Sequence, residues 1–139
     1  MREYSHVFVS PHYFSRLWCV YELATFCNDN KMHTDPAPEA RLMLINLEWP
    51  GTLAPFKSDK LADIELSWFT NFRCRRARCF KPSDRSVVLA SIREAWGSED
   101  KFDQFVANEL PYTLRRSKMQ YSKQLTTVLL SRLELVFGD

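Results

Sequence analysis

Glycine is scarce: three residues in a chain of 139. No Gly-x-Gly or Walker-type run occurs, so a glycine-rich loop cradling a nucleotide's phosphates is excluded within these residues. Paired cysteines are missing too. The four thiols, Cys19, Cys27, Cys74 and Cys79, show no two-residue spacing and lie among apolar or basic neighbours. That argues against a zinc site or a disulfide framework and for reduced thiols in the cytoplasm. His6, His12 and His33 are scattered and form no ligand pattern. No apolar run approaches the roughly twenty residues that span a bilayer, and the first residues lack the apolar core of a signal peptide. The chain is therefore expected to be soluble, with no transmembrane segment. Strong charge of either sign is also missing: a net +2 is far from the basic bias of nucleic-acid binders, and no nucleic-acid partner is expected.

What is present is a globular composition, 45% hydrophobic and 14% aromatic. A chain of this length hides about two-thirds of its unfolded surface when it folds. Val7-Phe8-Val9-Ser10, closed by Pro11, reads as a buried strand ending in a turn. A helix follows, polar only along a narrow stripe through Ser15, Glu22, Thr25 and Asp29, with either Ser10 before Pro11 or Ser15 before Arg16 as its cap. After a turn-rich stretch from Asn28 to Glu39, Arg41 to Leu47 reads as a second buried strand. Strand, helix and strand make a βαβ unit, with parallel strands and a right-handed crossover expected.

Farther on, Leu61, Ile64, Trp68 and Phe72 recur at helical spacing after Ser58 or Asp59 as cap. Arg76 to Phe80 holds at most a third short strand, because its alternation is not clean. From Ser83 the chain reads as helical. Ser83 caps a helix with Val88, Leu89, Ile92, Ala95 and Trp96 on one face, and Gly97 ends it. Ser98 caps the next, with Phe102, Phe105, Val106 and Leu110 as its stripe. Pro111 interrupts, and a last helical region carries Leu114, Tyr121, Leu125, Val128, Leu129, Leu133 and Val136 to Gly138, either continuous or broken near Ser117 to Ser122.

Ser15-Arg16-Leu17-Trp18-Cys19-Val20-Tyr21-Glu22-Leu23, directly after a hydrophobic strand ending in Ser10, resembles the third strand and following helix of Toll/interleukin-1 receptor (TIR) domains, where Trp-Cys-x-x-Glu-Leu is a signature. The likeness covers roughly the first third of the chain well, the next fifty residues by element order alone, and the C-terminal part not at all. It implies an α/β fold, a partial flavodoxin-like sheet of two or three parallel strands with flanking helices. Residues 1–82 would form the truncated TIR-like region and 83–139 a helical extension packed on it. The first two strands of such a domain have no counterpart before Met1, so a fragment of a longer protein, or a chain completed by partners, is expected. The strand at Val7 would then expose an unpaired edge, which favours self-association.

In TIR domains that cleave NAD, the glutamate of this motif is the catalytic carboxylate, and Glu22 occupies that position. A carboxylate beside the ribose stabilises the oxocarbenium character that develops as the nicotinamide bond breaks. Ser10, Trp18 and Cys19 would line the same pocket. Against this, Glu22 can simply lie on the solvent edge of its helix. Trp18 reads as a core anchor, Cys19 as a small buried thiol and Ser10 as a cap. The basic run Arg73, Arg75, Arg76, Arg78 and Lys81 reads as a solvated face. A cytoplasmic TIR-like signalling or protein-interaction module stands first, associating with other TIR-like domains or with itself. NAD glycohydrolysis through Glu22 is the alternative, with NAD as substrate and no bound cofactor or metal. An incomplete gene product without independent function is the third reading.

Overall fold

Ser5–Val9 forms strand β1 of the computed structural model, which describes residues 5–32, 42–46, 49 and 59–137. β1 pairs in parallel with β2, Leu42–Asn46, in the register Val7 to Leu44. Between the strands run a one-turn helix α1, Pro11–Phe14, and α2, Leu17–Asp29. The elements of a βαβ unit are thus in place, as the apolar runs predict. Helices α3, Asp59–Thr70, α4, Asp84–Trp96, α5, Glu99–Asn108, and α6, Leu110–Phe137, complete a mostly helical chain around this small parallel sheet. Arg41, Leu47, Ser58 and Gly138, named above as strand ends, cap and terminator, lie outside the described residues, as does most of the Asn28 to Glu39 connection.

Both serines at the start of the α1–α2 segment are used, in different ways. Ser10 caps α1, its Oγ accepting from the Tyr13 N–H at 3.3 Å, with Pro11 next as the pre-set first helical residue. Ser15 does not cap α2. Its hydroxyl donates back to the His12 carbonyl at 2.6 Å, and Arg16 holds the N-cap position without a side-chain bond. In place of a cap, the Leu17 N–H donates to the Arg78 carbonyl at 2.9 Å, and the Arg78 N–H to the Ser15 carbonyl at 2.8 Å. This parallel bridge between Arg16 and Arg78 is what becomes of the expected third strand. Among the described residues the sheet has two strands, and the 73–81 segment serves the α1–α2 corner instead. Cys74 and Ala77 anchor that segment in the core while Arg73, Arg75, Arg76 and Arg78 stay exposed, the solvated face that the charge run implies.

The outer edge of β2 is closed by a helix. Leu44 donates its N–H to Ser117 Oγ on α6 at 2.8 Å, and that hydroxyl donates in turn to the Thr113 carbonyl at 2.8 Å. A serine thus does for the strand what a neighbouring strand would do, which removes one edge from the reach of other chains. β1 has no strand on its far side among the described residues, and Phe8 is 53% exposed there.

One cluster of buried side chains runs through all the layers, from Val9 and Leu44 through Leu17, Val20 and Phe69 to Val88, Ile92, Phe102 and Leu114. Phe102 sits at its centre, fully buried, with the rings of Trp96, Phe72 and Tyr21 at 5.3, 6.1 and 6.5 Å. Burying a ring of this kind contributes roughly 1.5–3 kcal/mol. Residues after Ser83 therefore share the core of the strands. Two faces differ from expectation: Ile64 and Ala95 are exposed, and α3 buries Glu65 and Phe69 instead. Helix α6 is continuous through Ser117 to Ser122. Its inner face, Leu110 to Ser117, is buried, whereas Val128, Leu130 and Leu133 in its second half are about half exposed.

Helices α4 and α5 are separated by Gly97, whose φ of +90° is open to glycine and strained for other residues. The two flanking serines are not equivalent. Ser98 Oγ accepts from the Lys101 N–H at 3.1 Å, while Ser83 has helical backbone angles and makes no capping bond. Ser98→Ala should therefore cost about 1 kcal/mol in urea unfolding, and Ser83→Ala no more than a few tenths of that. Equal losses would contradict the capping geometry.

Candidate functional site

The motif residues lie at the corner where β1 passes through α1 into α2, and Tyr13 joins them. Its backbone N–H reaches Ser10 Oγ, and its phenol donates to the Cys19 carbonyl at 2.9 Å. Burial holds the Tyr13 phenol well above its usual range, and the nearby Cys19 and Glu22 add to this. Sequence reasoning passed over Tyr13. The signal was its spacing three residues after the capping Ser10.

Trp18 is not a core anchor. It is 38% exposed and meets Tyr21 edge-on at 6.0 Å. Helix α2 buries Leu17, Val20, Leu23, Ala24 and Cys27, and at about 100° per residue Trp18, Glu22 and Phe26 fall on the opposite side. Glu22 is exposed between the two aromatics, and Phe26 is also 38% exposed. Cys19 is half-buried rather than buried. The clefts at α3–α6, at the α1–α2 corner and at α3–α5 contain none of Ser10, Trp18, Cys19 and Glu22. As arranged, Glu22 is a solvated carboxylate between two exposed rings.

Among the described residues the more deeply enclosed of two buried carboxylates is Glu65, 2% exposed, with Asp103 at 9%. Lys118 Nζ of α6 donates to its Oε1 at 2.5 Å, and Oε2 accepts from Trp49 Nε1 at 2.6 Å and from Asn46 Nδ2 at 3.2 Å. The Lys118 ammonium also lies 5.6 Å from the Trp49 ring centre, and Trp49 packs on Tyr121 at 5.4 Å. The site stands at the carboxyl end of β2, where open α/β sheets place their ligands. Here the position is filled by the protein's own ion pair. A cleft of about 200 Å³ between α3 and α6, walled by Leu66, Phe69, Leu114 and Arg115, opens beside it. With three donors on its two oxygens, Glu65 ties β2, α3 and α6 together, and few of its lone pairs are left for another ligand. Sequence reasoning missed it by choosing Ile64 for its apolarity. Counted at about 100° per residue, Glu65 lies nearer than Ile64 to the centre of the Leu61, Trp68 and Phe72 stripe.

Two of the four free thiols are sealed. Burial pushes the Cys27 thiol up to about 12, partly offset by its contact with Thr113. Cys74 is likewise pushed up to about 12, by burial first and then by Asp103, whose carboxylate accepts the Cys74 N–H at 2.9 Å. Among the described residues no group of three or more His, Cys, Asp and Glu side chains could hold a metal ion, and no helix is long and apolar enough to cross a membrane. No protein-family model, no curated protein and no solved structure matches this chain significantly.

Lys118→Met should destabilise the fold by about 3–5 kcal/mol, because it leaves a buried carboxylate with neutral donors alone. Glu65→Gln, which keeps acceptor and shape and leaves an ammonium near the surface, should cost less. A larger loss for Glu65→Gln in chemical denaturation would contradict the pairing. At pH 8 a thiol titrating near 12 is ionised in roughly one molecule in ten thousand. Thiol-directed labelling read by mass spectrometry should therefore mark Cys19 and Cys79 first and Cys27 and Cys74 only on unfolding. Early labelling of Cys27 would contradict the packing of α6 on α2.

Proposed function

We propose that this chain is a TIR-like interaction module of the cytoplasm, which signals by associating with another TIR-like domain or a second copy of itself through the outward face of α2. The observation that carries this reading is the row Trp18, Glu22, Phe26. Each is one turn from the next on the solvent side of a helix whose other side is fully buried. Exposed aromatics side by side are expensive on a surface that faces only water, and they are enriched where proteins meet. Glu22 between them asks for a basic counterpart, and the exposed guanidinium groups of Arg73 and Arg76 offer one on this same chain. Such a contact joins two different patches, so it is head-to-tail and extends beyond a dimer. The side of β1 that carries no strand among the described residues supplies a second route to the same end.

The enzymatic alternative would have Glu22 stabilise the ribosyl cation as NAD loses nicotinamide. Glu22 borders none of the clefts described above, so the interaction reading draws the stronger support. Light scattering and sedimentation should find concentration-dependent association that weakens with salt. It should be lost in the Trp18→Ala, Phe26→Ala double variant while the cooperative melt and the circular dichroism spectrum of a folded chain persist. A monodisperse monomer at every concentration would sink the proposal. Nicotinamide release that Glu22→Gln abolishes in a folded protein would establish the alternative instead.

A further inference from the structure

We infer that the cleft at the α1–α2 corner binds a mononucleotide, with its phosphate on Arg16 and Arg78 and its base on Phe80. The cleft has a volume of about 570 Å³ and is lined by His12, Ser15, Arg16, Arg78, Cys79 and Phe80. That volume lies in the range of small-molecule sites, roughly 300–1,000 Å³. It is separate from the Trp18, Glu22, Phe26 row and does not depend on the function proposed above.

Three observations converge there. First, the main chains of Arg16 and Arg78 are locked side by side by the parallel bridge, so their side chains spring from adjacent, fixed points. Neither guanidinium has a hydrogen-bond or acidic partner among the described residues, although Arg75 and Arg93 nearby share Glu99. Two unpaired guanidinium groups on a rigid base match the three oxygens of a phosphate, which Arg holds with paired N–H donors. Second, Phe80 is 94% exposed at the same cleft. A ring held out in water, with no ring contact among the described residues, is a ready platform for a planar base, whose stacking contributes about 1–3 kcal/mol. Third, the lining of the cleft carries two guanidinium groups and no carboxylate. Asp84 is the acid that Cys79 senses, and Arg85, anchored on the Ala77 carbonyl, opposes it. An aromatic anion the size of a mononucleotide uses all three features. A bare anion leaves Phe80 idle, and a neutral nucleoside leaves both arginines idle.

The test is a calorimetric titration of the full chain with AMP, adenosine and inorganic phosphate in parallel. AMP should bind with a dissociation constant below about 1 mM, and adenosine and phosphate about tenfold more weakly or worse. Arg16→Gln, Arg78→Gln and Phe80→Ala should each weaken AMP about tenfold. All three side chains are exposed and the bridge is made by the backbone, so an unchanged circular dichroism melt is expected and checks the fold. Glu22→Gln should leave AMP binding intact, which separates this cleft from the motif glutamate. Absence of AMP binding at millimolar concentration overturns the inference. So does phosphate binding as tight as AMP binding and indifferent to Phe80→Ala, which would leave an anion site only.

Discussion

A carboxylate shut away from water must be met by donors on nearly every lone pair, or it does not stay charged. Glu65 meets that demand with an ammonium from α6, an indole N–H from Trp49 and an amide from the last residue of β2. These partners come from two stretches of the chain, the end of β2 with Trp49 and helix α6, and Glu65 from a third, so the full set of bonds forms only when β2, α3 and α6 have all docked. The same helix then completes the strand by taking the Leu44 N–H on Ser117 and reaches across to α2 through Thr113 and Cys27. A sheet of two strands has little stability of its own. Here α6 supplies what further strands would, and its inner half is polar at the positions where it must bond to backbone or charge.

That polarity explains where sequence reasoning succeeded and where it did not. Elements whose inner faces are apolar were legible: β1 and β2 as short hydrophobic runs, α4 and α5 from Val88, Ile92, Phe102 and Val106, and their junction from Gly97 and Ser98. The misses share one cause, the assumption that residue type reports side. Ile64 and Ala95 were placed inward for being apolar, and Glu65 was passed over, although the helical angle alone ranks Glu65 above Ile64. Trp18 was likewise drawn into the core by its chemistry, while the spacing of Leu17, Val20, Ala24 and Cys27 puts it on the other side. The Arg16 to Arg78 bridge was beyond reach, because it joins two irregular segments sixty residues apart with no periodic signal in either.

The corner made by α1, the start of α2 and the 73–81 segment concentrates the rest of the molecule's options. α2 begins there without a side-chain cap, its first N–H satisfied by a carbonyl from a distant segment, so the position of its first turn depends on how 73–81 is held. That segment is fixed from below by Cys74 and Ala77 and by the Asp103 carboxylate on the Cys74 N–H. The arrangement leaves arginines on top and buried small residues beneath. A basic surface there therefore rests on a firm backbone, unlike a charge run on a loop.

The outward row on α2 and the basic cleft at its first turn are thus neighbours on one helix, served by one set of contacts. Burial is the quantity that bears on the two roles proposed for the row. A carboxylate stabilises a developing cation strongly only where water is excluded, since the same charge in a high-dielectric surround contributes about a twentieth as much as in a dry interior. Glu22 stands in solvent between two rings, whereas the more deeply enclosed carboxylate, Glu65, is already spent on Lys118. The exposed row gains its favourable energy when another surface covers the rings and meets the charge.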